Sequence, residues 1–274
     1  MYLLFDIGGT RTRVAYSADG ATIGDHVSFE TPAHCAEGVE AIVQAAHSLG
    51  AFGNITAASG GVPGILDEKK AGLLSAPHLP AWAGEPFVDL LSTALGVPVY
   101  IENDATLAGL GEAHHGAGRG VGIMEYITVS TGVGGTRIVD GRIDEKALGF
   151  EPGKEILSFE AGSVHTFEDA VSGTALEKKY GRKPKDIHEP EVWEELSVLL
   201  ARGLYNTILL WSPDVIVLGG SMITGNPAIP LERTKAHMMD TASVLPRVPD
   251  IRKAELGDVG GLWGALEYIK QYTH

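Results

Sequence analysis

The sequence predicts an α/β protein of two similar lobes around a cleft. Three observations point there. Each half opens with a short apolar strand that runs into a glycine-rich hairpin. Each half then goes over to helices. The second half also holds a fully apolar strand, Asp214-Val215-Ile216-Val217-Leu218, of the kind that is covered on both faces.

Taken in order, strands are expected near 2–7, 11–17 and 21–30. In the second of these, Thr12, Val14 and Tyr16 alternate with Arg11, Arg13 and Ala15. A helix follows near 37–50, where Val39, Ile42, Val43 and Ala46 recur at helical spacing. Ile55–Ser59 reads as a strand ending in the loop Gly60-Gly61-Val62-Pro63-Gly64. A helix near 85–95 passes through Gly96 to the strand Val97–Ile101. That strand stops at Glu102-Asn103-Asp104, and a small-residue helix with Ala105, Leu107, Ala108 and Leu110 begins. The second half repeats the plan: strands near 121–130 and 135–144, an irregular stretch to about 165, then helices. The apolar strand 214–218 runs into Gly219-Gly220-Ser221, and the chain closes with Gly257–Gly261 and a helix from Leu262 to about Tyr272. The loops Asp6–Thr10, Gly60–Gly64, Glu102–Asp104, Ser130–Gly135 and Gly219–Ser221 are expected to point into the cleft.

The glycine strings carry the chemistry. Asp6-Ile7-Gly8-Gly9-Thr10 and Ser130-Thr131-Gly132-Val133-Gly134-Gly135-Thr136 each place a tight turn and a hydroxyl after a strand, with backbone N–H groups turned outward. That is a neutral cradle for phosphate oxygens. Only the first carries a carboxylate, Asp6, which suits a magnesium ion held through water. No Walker A string is present. The first loop leads into a strand and not a helix, which disfavours a dinucleotide-binding fold.

At 274 residues the chain can bury a large core as one domain or two lobes. Its 44% hydrophobic and 20% charged residues are ordinary for a globular protein. A formal charge of −14 argues against a general nucleic-acid binder. The single cysteine, Cys35, excludes an internal disulfide framework and a cysteine-based zinc cluster, and fits a reducing cytoplasm. No leader with a basic and then an apolar region opens the sequence, and no apolar stretch reaches membrane-spanning length. The charged stretch Glu177–Glu195 mixes both signs and reads as a solvated loop and helix start.

Asp104 is the candidate catalyst. A carboxylate at a strand end bordering a crevice is placed to accept a proton from an attacking hydroxyl, with Asn103 binding a neighbouring hydroxyl. The competing reading is a helix N-cap, and the two roles are compatible.

The strings Asp6–Thr10, Gly61-Val62-Pro63-Gly64, Ser75-Ala76-Pro77, Glu102-Asn103-Asp104-Ala105, Ser130–Gly135 and Leu218-Gly219-Gly220-Ser221, in this order, resemble the ROK family of sugar kinases. The resemblance implies the two-lobed actin-like ATPase (ribonuclease H-like) fold, with residues 1–106 and 262–274 as the small lobe and 107–261 as the large one. It implies a hexose kinase that uses Mg²⁺ with ATP in a cytoplasmic homodimer, and no nucleic-acid or membrane partner. Asp6, Gly8, Gly9, Thr10 and Arg11 then face the phosphates and metal from one lobe. Thr131, Gly132 and Gly134 face them from the other, and Gly219, Gly220 and Ser221 line the adenosine site. Gly61, His78, Asn103, Asp104, Glu151, Lys154 and Glu168 face the sugar.

The departures from the family pattern are specific. Gly149-Phe150-Glu151-Pro152-Gly153-Lys154 carries lysine where the family has histidine. The three-cysteine cluster that usually holds zinc is missing, so no structural zinc is expected. His78 follows Ser-Ala-Pro where the family has asparagine. Lys154 is expected to bind sugar hydroxyls or to pair with Glu151 or Glu168. Two other readings compete with an ATP-dependent kinase: a polyphosphate-dependent glucokinase, and a catalytically weak sugar- or nucleotide-sensing regulator.

Overall fold

The computed structural model describes residues 1–144, 149–160, 162–241, 245 and 247–273. The chain separates into two compact units. The first holds Met1–His115, Gly149 and the C-terminal segment from Asp258. The second holds Gly116–Asp144 and Phe150–Gly257.

The first unit runs β1 (Tyr2–Ile7), β2 (Arg11–Ser17), β3 (His26–Glu30), α1 (Cys35–Ser48), β4 (Ala57–Val62), β5 (Ile65–Leu66), β6 (Leu73–Ser75), α2 (Phe87–Leu95), β7 (Val99–Asn103) and α3 (Asp104–His115). The second runs β8 (Ile123–Val129), β9 (Val133–Val139), β10 (Arg142–Ile143), β11 (Ile156–Glu160), β12 (Ser163–Thr166), α4 (Phe167–Val171), α5 (Gly173–Tyr180), α6 (Pro190–Trp211), β13 (Val215–Gly219), α7 (Ser221–Thr224), α8 (Leu231–Thr241) and β14 (Asp250–Lys253). The chain then returns to the first unit through α9 (Gly260–Thr273).

Each unit is built on a five-stranded sheet, in the orders β3-β2-β1-β4-β7 and β10-β9-β8-β13-β14. In both, the first three strands in sequence form an antiparallel meander and the last two add in parallel. The same topology thus occurs twice, as expected of the actin-like ATPase fold. Central β1 is apolar on nearly every residue because helices cover both faces of its sheet. Its core gathers Phe5, Ile42, Trp82, Phe87 and Leu91, with the Phe5 and Phe87 rings edge to face at 6.0 Å. The second core sets Phe167, Leu200, Leu204, Ile216 and Leu218 together, with the Phe167 ring against Gly203 of α6. In the first unit α3 lies along α9, where Gly111 meets Gly260 and Gly264 meets the carbonyl of Leu107. Glycine permits that approach, and α3 remains whole within this unit.

Four expectations are corrected. Gly60 and Gly61 lie inside β4 and are not a loop: a Cβ at Gly60 would strike the Phe5 ring, so glycine here answers to packing and not to a turn. Gly134 and Gly135 likewise lie inside β9, and a Cβ at Gly135 would stand 2.6 Å from the Tyr126 carbonyl. The third strand begins only at His26, because Asp19 pins a turn by accepting the N–H groups of Ala21 and Thr22 at 2.8 Å each. The stretch before 165, read as irregular, contains the β11–β12 hairpin; its residues 145–148 and 161 lie outside the described residues.

Candidate active site

In the first unit the sheet register sets Asp6, Gly61 and Glu102 side by side on β1, β4 and β7. Asp104 follows two residues after Glu102, as the first residue of α3. A Cβ at Gly61 would lie 2.9 Å from Asp104 Cα and 3.4 Å from Asp6 Oδ1, and one at Gly261 would lie 2.7 Å from Asp6 Cγ. Asp6 and Asp104 are therefore neighbours across a glycine, and the Asp6 carboxyl is walled by two residues without side chains. Burial pushes Asp6 up to about 6, against the pull of Arg13. Arg13 lies 3.7 Å from Asp6 and 2.8 Å from Asp258.

The hairpin after β1 is closed by Gly8 N–H donating to the Arg11 carbonyl at 2.9 Å, and by the Thr31 hydroxyl donating to the Gly8 carbonyl at 2.7 Å. Gly9 and Thr10 sit at its tip, exposed. A Cβ at Gly9 would meet His78 Cβ at 2.7 Å, which places His78 against the phosphate-type loop. Arg11 turns to Ser28, with Nε donating at 3.2 Å. The arginine beside Asp6 is Arg13, which the sequence reading passed over. Counting back from the turn reaches it, since the register pairs Asp6 with Arg13.

Asn103 is the N-cap of α3: its Oδ1 accepts the Thr106 N–H at 3.1 Å, while Nδ2 donates to the Gly64 carbonyl at 3.1 Å. Asp104 Oδ1 accepts the Ala105 N–H at 2.8 Å. The cap belongs to Asn103, and the carboxylate one residue later stands at the helix N-terminus, where the backbone dipole favours negative charge.

In the second unit, Ser130-Thr131-Gly132 form the turn between β8 and β9, closed by Ser130 N–H on the Gly132 carbonyl at 2.8 Å. Gly134 sits within β9 opposite Thr128. Glu168, in the first turn of α4, reaches this turn: its Oε2 accepts the Val133 N–H at 2.9 Å and would lie 2.6 Å from a Cβ at Gly132. Lys154 Nζ donates to Glu168 Oε1 at 2.7 Å. That bond, with the neighbouring acids Glu151 and Asp169, pushes the Lys154 ammonium up. Of the two expected partners of Lys154, Glu168 is met by this bond. Glu151 lies three residues back, its carbonyl accepting the Lys154 N–H at 3.0 Å.

Next to that turn is a pocket of about 380 Å³, lined by Thr131, Thr174, Ser221, Met222, Lys183 and Lys185 among others. Gly219 and Gly220 are not among its lining residues: Gly219 ends β13 against Tyr126, and Gly220, at φ 85°, packs on the Val129 carbonyl and hands the chain to Ser221 at the start of α7. Lys183 and Lys185 fall in the stretch read as solvated. A mixed-sign charge run shows nothing locally of the pocket it borders.

Among the described residues no group of three or more His, Cys, Asp or Glu side chains is arranged to hold a metal ion. No described helix is long and apolar enough to cross a membrane.

The chain matches the ROK family across residues 2–272. It belongs to that family. The ROK hexokinase of Thermus thermophilus, a solved structure, is 27% identical with a TM-score of 0.82, the alignment covering 100% of this chain and 99% of that one. The N-acetyl-D-glucosamine kinase of Escherichia fergusonii is 28% identical over 97% of this chain and 98% of the relative. The fructokinase of Pediococcus pentosaceus is 26% identical over 95% of this chain and 94% of its own length. All three are named as sugar kinases, and the likeness to the hexokinase structure runs through both units of this chain.

Proposed function

We propose that this chain is a sugar kinase that transfers a phosphoryl group from ATP to a hydroxyl of a hexose or N-acetylhexosamine, with Asp104 as general base. The observation that carries the reading is the placement of Asp104 at the start of α3, across Gly61 from Asp6, in a ROK-family chain. Asp104 takes the proton of the attacking hydroxyl, and the capped helix end holds its carboxylate in place. The second Nδ2 hydrogen of Asn103 serves a neighbouring hydroxyl.

The tip of the β1–β2 hairpin offers Gly8, Gly9 and Thr10 to the phosphates, and Thr131 and Gly132 do the same on the second unit. Such a reaction calls mainly for positioning and for stabilising the charge on the transferred group, with no covalent bond to the protein. The Asp6 carboxylate, walled by Gly61 and Gly261 yet 17% exposed, would hold Mg²⁺ through water, which when bound with ATP neutralises phosphate charge. The hydroxyls of Thr131, Thr174 and Ser221 and the apolar Met222 suit the nucleoside end of the donor. Glu151, Lys154 and Glu168 are assigned to sugar hydroxyls. The Lys154–Glu168 pair supplies donors and acceptors together, as a neutral polyol requires.

A panel of hexoses and N-acetylhexosamines, each with ATP and with polyphosphate, tests the reading by product phosphorylation. Turnover of one neutral sugar with ATP is the expected result. Turnover only with polyphosphate reassigns the donor. No turnover with any sugar overturns the reading.

A further inference from the structure

Lys70 is one of three non-glycine residues with positive φ among the described residues, at 52°. A lysine holds that backbone conformation only where its surroundings impose it. Here Asp67 imposes it. Its Oδ1 accepts the N–H groups of Lys69 at 2.9 Å and Ala71 at 3.0 Å, and its carbonyl accepts the Lys70 N–H at 3.0 Å.

The turn delivers the Lys70 ammonium to Glu102 Oε2 at 2.7 Å and to the Tyr268 hydroxyl of α9 at 2.9 Å. Tyr272 donates to the same Tyr268 oxygen at 3.0 Å. Glu102 is only 1% exposed, and its Oε1 accepts the N–H of Asn103 at 2.9 Å. Asn103 in turn caps the helix that begins with Asp104. An unbroken set of bonds therefore runs from a strained surface turn to the residue before the assigned base.

We propose that Lys70 is a positioning residue for Asp104. By holding the buried Glu102 carboxylate in one orientation, Lys70 keeps Oε1 on the Asn103 N–H, and this sets where β7 ends and α3 starts. A buried carboxylate deprived of its cation is costly and turns toward other partners, and Asn103 then loses its acceptor. The effect on rate rests on the kinase reading; the clamp on Asn103 does not.

The test compares Lys70→Met, Lys70→Arg and the double variant Lys70→Met/Glu102→Gln with the parent in two readouts. The first is hydrogen exchange at the Asn103 amide. The second is kcat with the sugar found by the panel. Lys70→Met is expected to exchange Asn103 about tenfold faster and to lose about 10- to 100-fold in kcat, the scale of a slightly misplaced catalytic group, with KM for ATP little changed. Lys70→Arg recovers most of the rate. So does the double variant, because a glutamine at 102 is neutral and keeps an oxygen for the Asn103 N–H. A lysine that merely stabilised the fold would lower the melting temperature without this pattern of rescue. If Lys70→Met fails to fold, Tyr268→Phe removes only the hydroxyl that Lys70 donates to and is expected to shift both readouts the same way by a few-fold. A folded Lys70→Met chain with unchanged Asn103 exchange, or with parental kcat, overturns the proposal. A parent chain that phosphorylates no sugar overturns the kinase reading instead, and the exchange comparison still decides the clamp.

Discussion

Asp6 and Asp104 stand on either side of Gly61, close enough that a single methyl group at Gly61 would touch both residues. Two carboxyl groups with different assigned tasks, metal at one and proton acceptance at the other, share one glycine as their spacer. Gly61→Ala is therefore expected to cost about 1–3 kcal/mol of stability, the usual cost of overpacking. The colliding atom is backbone, at Asp104 Cα, so the strain falls directly on the base. A loss of kcat larger than the loss of stability explains, measured on folded protein at low temperature, is the expected outcome. Parental kcat in Gly61→Ala would separate the glycine from the chemistry.

Glu168 is tied both to Lys154 and to the turn at Gly132. Glu168→Gln keeps an oxygen for one of these partners and removes the charge that holds Lys154. Sugar affinity is expected to fall by about 1.5–3 kcal/mol, roughly ten- to over a hundred-fold. Calorimetric titration with the sugar identified by the panel checks this. Unchanged affinity would place the sugar elsewhere.

The second unit also buries an acid with no assigned task. Glu125 is fully buried, and among the described residues neither carboxyl oxygen finds a well-aligned hydrogen-bond partner. Burial pushes it up to about 8; the nearby Thr207 hydroxyl pulls against this and Glu155 adds to it. Burial pushes half-buried Glu155 up to about 7. An ordinary glutamate titrates near about 4.3. The folded state thus binds protons more tightly than the unfolded one. The associated stability is complete below about pH 4 and is lost as pH rises to about 8. Glu125→Gln is expected to flatten this part of the stability–pH curve and to raise the melting temperature at pH 8. A parent curve already flat between pH 5 and 8 would contradict it.

Much of this was legible in sequence order. The alternation in 11–17 and the apolar run before Asp6 marked a hairpin, and Glu102-Asn103-Asp104 marked a strand end meeting a helix. What escaped depends on contacts far apart in the chain. Gly60 and Gly61 look like a turn, yet Phe5 and Asp104 require them within a strand. The β11–β12 hairpin exposes Ile156, Phe159 and Val164, so no buried face imposes the alternation by which a strand is recognised. Lys70 gave no signal at all, because its meaning lies in a buried acid 32 residues on and a tyrosine 198 residues on.

The central claim is that Asp104 is the general base of a sugar kinase, and Asp104→Asn tests it most directly. The variant keeps the shape at the start of α3 and removes proton acceptance. On folded protein, kcat should fall by about 10²–10⁴-fold while sugar affinity changes much less. A folded Asp104→Asn chain that keeps the parental kcat would contradict the account.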